Sequence, residues 1–200
     1  MLLHEKLACY HLLLASQSPR RRELLTGCGL PYTLAPKYEV EETYPADLPA
    51  EQVPAYLSRL KSEGMPRPLT EKEILLTADT VVIAEGRILG KPHDREEALT
   101  MLRTLSGRSH TVITGVTLRS HQKAETFSAR SEVFFRALSE EELAWYVDTY
   151  SPYDKAGSYG IQEWIGYAGI ERIEGSFYNV MGLPIQRVYV ELEKFLGSMP

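Results

Sequence analysis

The sequence has little of what marks several common classes of protein. Only two of its 200 residues are cysteines, Cys9 and Cys28. They form neither a CxxC pair nor a zinc spacing, so we expect both to be buried and reduced, as in a cytosolic protein. No apolar run approaches the length that crosses a bilayer, and the first residues lack the long apolar core of a signal peptide. We therefore expect a cytoplasmic protein that does not act at a membrane.

Positive charge is also scarce. The 22 Lys and Arg residues face 27 Asp and Glu residues, which gives a net charge of −5. No global basic field favours nucleic acid as a partner, so arginines that do cluster must act locally. The 44% of hydrophobic residues allow a sizeable core. A chain of this length makes one large domain or two small lobes, and we expect a single domain over residues 1–200.

The most informative stretch is residues 12–25, which read LLLASQSPRRRELL. The apolar run 12–15 suits a strand buried on both faces. A short polar turn follows it. A helix then begins at Pro19, where the missing N–H costs nothing, with Ser18 as its N-cap. The pattern predicts that this helix runs to Thr26.

This helix breaks one local rule. Arg20, Arg21 and Arg22 lie in its first turn, where the helix dipole is positive and acidic residues are preferred. Such breaks occur at functional sites, and a bound polyanion would resolve this one because guanidinium groups and free N–H groups both fit phosphate. The alternative is a surface basic cluster on an ordinary strand–helix unit. Taken alone the two interpretations are about equal, and the strand–SxS–Pro–Arg context favours a phosphate site.

A single carboxylate interrupts a second apolar run. Residues 74–83 read ILLTADTVVI, so Asp79 stands among buried strand residues. A buried charge is costly unless it is paired or bound to a metal. A structural Asp that caps a turn between two short strands is the alternative, but nothing turn-like flanks it. A carboxylate at a strand end, beside a basic phosphate site, is suited to hold a metal or to activate water.

Two lysines lie near these elements. Lys61 falls near the end of a helix predicted over residues 54–63, where a lysine is normally a dipole-favoured surface residue. Lys91 follows Gly90, which lets the backbone approach a ligand closely, so Lys91 could place a point charge on it. The Gly-Lys-Pro sequence is usually just a turn. Glu42 lies in a polar loop, and solvated surface is its default interpretation.

A second candidate segment is residues 151–162, SPYDKAGSYGIQ. A mobile glycine-rich surface loop is the alternative, but Tyr153, Tyr159 and Ile161 are too apolar for a free loop. The amide of Gln162 offers both a donor and an acceptor. That pair matches the imide edge of uracil or thymine, which alternates acceptors with a donor.

The remaining pattern predicts a mixed α/β chain. Helices are expected after the capping boxes that begin at Asp94 and Ser139, and a last helix is expected from Pro184. Residues 111–118 and 124–137 are expected to form a long antiparallel strand pair that widens the sheet and offers a dimer surface. His110 is best interpreted as a structural, hydrogen-bonded histidine.

Five motifs in this order resemble those of the Maf-type nucleoside triphosphate pyrophosphatases. They are SQSPRR with ELL at 16–25, DTVV at 79–82, GKP at 90–92, GIQ at 160–162 and GSFYNVMGLP at 175–184. The resemblance covers nearly the whole chain, and the GIQ ending resembles the dTTP/UTP-directed branch. It implies an α/β fold in which an elongated mixed β-sheet is flanked by helices in two lobes, with a cleft between them.

The resemblance also implies a reaction and a site. A nucleoside triphosphate is hydrolysed to the monophosphate and pyrophosphate, with Asp79 as the proton acceptor. A divalent cation, Mg²⁺ or Mn²⁺, would be held by Asp79 and Glu42. The residues expected to bind the substrate are Ser16, Arg20, Arg21, Lys61, Thr80, Lys91 and Gln162. Of these, Arg20, Thr80 and Gln162 would help to select the base.

The chain departs from the family pattern at a few positions, and two rival functions stay open. Ser58 and Ser62 stand where relatives more often have alanine, and Glu163-Trp164 follows the GIQ ending where relatives usually have Gly. One rival is a non-catalytic nucleotide-binding regulator of septum formation. The other is a pyrophosphatase for non-standard purine nucleotides, which Gln162 disfavours. The expected partners are a nucleoside triphosphate and a second copy of the chain, with no nucleic acid and no membrane.

Overall fold

The structure is a computed structural model that describes residues 2–198. Its α-helices are α1 (Leu3–Lys6), α2 (Pro19–Gly27), α3 (Val53–Glu63), α4 (Arg95–Leu105), α5 (Glu140–Tyr150), α6 (Trp164–Ala168), α7 (Phe177–Met181) and α8 (Ile185–Gly197). Its strands are β1 (His11–Leu14), β2 (Thr33–Leu34), β3 (Glu73–Ala84), β4 (Arg87–Leu89), β5 (Ser109–Arg119), β6 (Ala124–Phe135) and β7 (Ile170–Glu174). Single 3₁₀ turns lie at Leu7–Cys9, Ala50–Gln52 and Ala156–Ser158.

The strands form one mixed sheet in the order β2-β1-β3-β5-β6-β7, with β4 paired to β3. Strand β1 is parallel to both of its neighbours, since Leu13 pairs with Thr33 on one side and with Leu75 on the other. Strands β3 and β4 form an antiparallel hairpin in which Val82 pairs with Leu89. Strands β6 and β7 also pair antiparallel. The predicted α/β class, a mixed sheet flanked by helices, is confirmed.

The first strand and helix follow the sequence pattern closely. Leu12, Leu13 and Leu14 are buried, as a strand covered on both faces requires. Helix α2 begins at Pro19 and its N-cap position is Ser18, as predicted. The side chain of Ser18 makes no capping hydrogen bond. Instead the Ser18 N–H donates to Ser16 Oγ at 3.2 Å, so the neighbouring serine organises the turn.

The chain divides into two compact units. The first unit contains the residues up to Asp79, residues 114–129 and the residues from Gly182 onward, and the second unit contains Thr80–Ile113 and Arg130–Met181. Strands β3, β5 and β6 contribute residues to both units.

In the first unit, α3 packs closely on β5. A Cβ atom on Gly115 would lie 2.3 Å from the carbonyl carbon and oxygen of Pro54, so only glycine fits this approach. One turn later, Ser58 Oγ and Thr117 Oγ1 are 2.9 Å apart. The Thr77 hydroxyl donates to the Ser58 carbonyl at 2.7 Å and joins β3 to the same helix. These contacts fix the helix that carries Lys61 against the strand that carries Asp79.

In the second unit, α4 and α5 bury their apolar faces together. Asp94 and Ser139 cap these helices, and each side chain accepts a hydrogen bond from the third helical N–H. The predicted capping box is complete at Ser139, whereas Glu97 accepts from His93 N–H instead of Asp94 N–H, so the box at Asp94 is only half formed. An ion pair between Arg103 and Glu140 at 2.8 Å joins the two helices at the surface. Both predicted helices are confirmed, and so are the two long strands, β5 and β6.

One prediction about the cysteines is wrong. Cys9 is exposed and Cys28 is half-buried, and both are free thiols. Cys9 is the last residue of a short 3₁₀ turn that precedes β1. Leu7 is the buried residue of that turn, so the Cys9 side chain does not reach the core. Between residues 2 and 198 no helix is both long enough and apolar enough to cross a membrane.

Candidate active site

Asp79 lies inside a strand rather than at its end. It is the seventh of the 12 residues of β3, and only 9% of its surface is exposed. The prediction that the carboxylate stands at the end of its own strand is therefore wrong. The neighbouring strand β1 does end here, because the last pairing on that side joins Leu14 to Leu76. The backbone beside Asp79 is thus uncovered by β1, although β3 itself continues.

Lys61 joins two carboxylates in the first unit. Its ammonium nitrogen lies 2.7 Å from Asp79 Oδ1 and 2.9 Å from Glu42 Oε2. The Tyr38 hydroxyl donates to the Lys61 carbonyl at 2.7 Å and holds the loop that carries Glu42 against the end of α3. The ammonium group is mostly buried, so its pairing with Asp79 offsets the cost of burying both charges.

Arg21 connects three pieces of the first unit. Its Nε donates to the Gly182 carbonyl at 2.8 Å, and its Nη1 donates to the Ala78 carbonyl at 2.8 Å and to Ser16 Oγ at 3.3 Å. Ala78 directly precedes Asp79, so the guanidinium holds the backbone that presents the carboxylate. Sequence reasoning assigned Arg21 only to phosphate binding and missed these two carbonyl contacts.

The charges around Arg21 show that the site is electrostatically connected. Burial lowers the pKa of Arg21, and the Asp79 carboxylate opposes that shift. Arg20 lowers the same pKa further and Glu42 raises it. An arginine stays protonated regardless, so Arg20 and Arg21 remain cations in this site. Helix α2 has no acidic residue in its first turn, so its N-terminus adds a positive dipole end.

The two carboxylates fit a metal that takes few protein ligands. Between residues 2 and 198 there is no cluster of three or more His, Cys, Asp or Glu side chains that could hold an ion. Asp79 and Glu42 nevertheless converge on one cation, the Lys61 ammonium. Mg²⁺ is commonly bound through one or two carboxylates together with substrate phosphates. These two residues therefore fit a divalent ion that arrives with a nucleotide, and the metal itself stays a prediction.

Three predicted site residues belong to the second unit. Thr80 is half-buried and follows Asp79 on β3, whereas Lys91 is exposed in the segment after β4. Gly157 N–H donates to the Gly90 carbonyl at 3.0 Å, which joins the Lys91 segment to the segment before Gln162. The Oε1 atom of Gln162 is buried, and no hydrogen-bond partner for it exists within residues 2–198. Lys91 and Gln162 thus lie on two connected segments, and Thr80 lies on β3.

Sequence reasoning missed a polar network beside Gln162. Glu163 accepts from the ammonium group of Lys155 at 3.1 Å and from the hydroxyl of Tyr146. That hydroxyl also accepts from Gly160 N–H at 3.0 Å. Lys155 was visible as a charge inside an apolar segment, but nothing in the sequence pointed to its partner. Tyr146 falls in the helix that is expected after Ser139, and no sequence signal indicated its polar role.

His110 is structural, as predicted. It is 2% exposed, its Nε2 atom lies 2.7 Å from the Tyr159 hydroxyl, and its ring packs edge-on against Phe135 and Tyr159. Burial lowers the pKa of His110 from 6.5 to about 4. The ring is therefore neutral at neutral pH and contributes to the aromatic core of the second unit.

Comparison with known proteins identifies the family. A family described as Maf-like protein matches residues 11–195. A protein of Bacteroides thetaiotaomicron, named dTTP/UTP pyrophosphatase, is 52% identical over 185 residues, which are 92% of this chain and 96% of that one. A Porphyromonas gingivalis protein of the same name is 53% identical over 196 residues, 96% of this chain and 97% of that one.

A search of solved structures gives weaker likenesses. The Staphylococcus aureus Ham1 protein aligns with a TM-score of 0.43 and 15% identity, over 62% of this chain and 71% of that one. At this level of similarity no conclusion about the chain follows. The family match over nearly the whole chain and the two relatives at about 50% identity are decisive. This chain belongs to the Maf-like protein family.

Proposed function

We propose that this protein hydrolyses dTTP and UTP, and modified pyrimidine nucleotides of the same kind, to the nucleoside monophosphate and pyrophosphate. The observation that carries the proposal is the buried Asp79 carboxylate, paired with Lys61 and close enough to Arg21 to oppose the lowering of the Arg21 pKa by burial. A buried carboxylate beside several cations is typical of a catalytic site. The names of the relatives that are about 50% identical support the same activity.

The chemistry assigned to Asp79 is general base catalysis. A water oxygen attacks the α-phosphorus, a new P–O bond forms, and the bond from the α-phosphorus to the bridging oxygen breaks. Pyrophosphate leaves with that electron pair, and the proton of the water goes to Asp79. Because Lys61 donates to Oδ1, we assign proton acceptance to Oδ2. The Lys61 ammonium fixes the carboxylate directly, and Arg21 fixes the backbone that carries it by donating to the Ala78 carbonyl.

The triphosphate is assigned to the cationic side chains. Ser16, Arg20, Arg21, Lys61 and Lys91 bind its oxygens and stabilise the negative charge that builds up as pyrophosphate leaves. Arg20, Thr80 and Gln162 select the base. The unpaired Oε1 acceptor of Gln162 supports this assignment, because uracil and thymine present a ring N–H between two carbonyl oxygens.

A divalent cation, Mg²⁺ or Mn²⁺, completes the proposed site. Asp79 and Glu42 would hold it, since both offer the carboxylate oxygens that hard cations prefer. When bound, such an ion supplies positive charge that lowers the pKa of water and screens the phosphates.

A pyrophosphate-release assay over a nucleotide panel with Mg²⁺ tests the proposal. We expect the wild type to release pyrophosphate from dTTP and UTP much faster than from other nucleotides. Asp79→Asn should lower kcat by roughly 10²–10⁴ with its folding retained. The surface variant Asp148→Asn should behave as the wild type. Nucleotide binding without turnover would favour a non-catalytic regulator, and a preference for non-standard purine nucleotides would favour the other rival.

A homodimer, a cytoplasmic location and the lack of nucleic acid and membrane partners also stay predictions. The long β5 and β6 strands are the expected dimer surface. Light scattering on the purified protein measures the oligomeric state directly, and a monomer mass would contradict the predicted homodimer.

A further inference from the structure

One phenol is hydrogen-bonded to a residue on each side of Gln162. The Tyr146 hydroxyl accepts from Gly160 N–H, two residues before Gln162, and donates to the Glu163 carboxylate, one residue after it. Tyr146 is fully buried in α5. Burial, and then the hydrogen bond to Glu163, raises the pKa of Tyr146, so the phenol is a neutral donor at any working pH. The residues on either side of Gln162, Gly160 and Glu163, are therefore both fixed to the Tyr146 hydroxyl.

The Glu163 carboxylate uses both of its oxygens in this network. Oε1 lies 3.1 Å from Lys155 Nζ, and Oε2 accepts from Tyr146. Lys155 is only 8% exposed, and its ammonium also contacts Asp154 Oδ1 at 2.7 Å. Glu163 is more deeply buried than Asp154, so its carboxylate compensates more of the Lys155 charge.

The network is closely packed. A Cβ atom on Gly160 would lie 2.8 Å from the Glu163 carboxylate carbon and 3.0 Å from Lys155 Cε. A Cβ on Gly157, in the same segment, would lie 3.0 Å from the Val82 methyl carbons. The segment therefore has little room to shift, and the position of Gln162 follows from the contacts of its neighbours.

The orientation of the Gln162 amide has a consequence for binding. Its Oε1 atom is buried without a hydrogen-bond partner within residues 2–198. A buried acceptor in this state favours a ligand that brings an N–H donor and penalises a ligand that brings a second acceptor. Uracil and thymine carry a ring N–H at N3, whereas cytosine carries a lone pair there. A rotated amide would lose this discrimination.

From these contacts we propose that Glu163 is a positioning residue for base selection, which holds the Gln162 segment through Tyr146 and Lys155. The proposal rests on the proposed function of the same site. Glu163 acts through Gln162 and does not touch the nucleotide. Its loss therefore affects the choice between bases more than the chemistry at the phosphate.

The test compares Glu163→Gln with the wild type in kcat/KM for UTP and for CTP. Glutamine has the same shape but only one acceptor oxygen, so either Lys155 or Tyr146 loses its contact with residue 163. We expect the UTP-to-CTP preference to fall by about tenfold, mainly through KM for UTP. Tyr146→Phe removes the phenol that joins Gly160 to Glu163 and should lower the same ratio, even if one of the two variants folds poorly.

The control is Glu140→Gln, which removes a paired carboxylate from the surface of the same unit and should leave the preference unchanged. Merely structural damage would lower the rates for both nucleotides together. If Glu163→Gln and Tyr146→Phe both keep the wild-type ratio, the inference is wrong while the proposed function stands. If the wild type releases no pyrophosphate from either nucleotide, the proposed function itself fails.

Discussion

The Lys61 ammonium lies 2.7 Å from Asp79 Oδ1, and the same nitrogen lies 2.9 Å from Glu42 Oε2. One cation of the chain therefore stands where two carboxylates converge, which is also the position proposed for a divalent ion. The protein's own ammonium group and an added ion compete for the same pair of oxygens.

This competition gives a prediction for Lys61→Met. Without the ammonium, the nucleotide-free protein should bind Mn²⁺ about tenfold or more tightly, because two unpaired carboxylates then face each other. Calorimetric titration with Mn²⁺ measures this. Lys6→Met, which breaks a surface pair with Glu193, is the control. Unchanged Mn²⁺ affinity would show that Asp79 and Glu42 are not the ligands.

Arg21→Lys separates charge from geometry. Lysine keeps the positive charge but cannot reach the Ala78 and Gly182 carbonyls together, as the guanidinium does. We expect kcat to fall at least about tenfold and the Tm to drop, because two partly buried hydrogen bonds are lost. Steady-state kinetics and a thermal melt check this. Wild-type kcat and Tm would show that Arg21 acts only as a positive charge that binds phosphate.

Gly115→Ala tests the close approach of α3 to β5. The added Cβ would lie 2.3 Å from the Pro54 backbone, which cannot move aside as a side chain can. We expect the free energy of unfolding to fall by about 3 kcal/mol. Gly27→Ala, where nothing lies within 4 Å of the new Cβ, should change stability by less than about 1 kcal/mol. Urea denaturation of both variants gives the comparison, and equal stabilities would contradict the packing described for α3.

His110 makes stability depend on pH in a defined direction. Its folded-state pKa is about 4, below the ordinary 6.5, so between these values the unfolded chain binds a proton that the folded chain does not. Stability is therefore fully present above pH 6.5 and falls as the pH drops toward 4, by at most about 3 kcal/mol. Urea denaturation across this window should show a shallower slope for His110→Gln than for the surface control His121→Gln. Equal slopes would exclude His110 as the source.

The sequence predicted the parts of the site that local pattern encodes. The strand–turn–helix at Pro19, the apolar strand around Asp79 and the caps at Asp94 and Ser139 all lie where the residues indicated, because each depends on neighbours in the chain. The short helices α6 and α7 escaped prediction, since five residues are too few to show a helical period.

Contacts between distant parts of the chain could not be predicted. Arg21 reaches the Gly182 carbonyl across 161 positions, and Tyr146 reaches Glu163 across 17. An arginine bound to carbonyls and an arginine bound to phosphate look alike in sequence. The strand-end placement of Asp79 failed for a related reason: where β1 stops pairing is a property of the sheet, not of the run that contains Asp79.

Hydrolysis of UTP in ¹⁸O-labelled water tests the central claim most directly. If Asp79 activates water for attack at the α-phosphorus, mass spectrometry should find the label in the monophosphate and none in the pyrophosphate. Label in pyrophosphate, or release of orthophosphate in its place, would show attack at another phosphorus and contradict the mechanism assigned to Asp79.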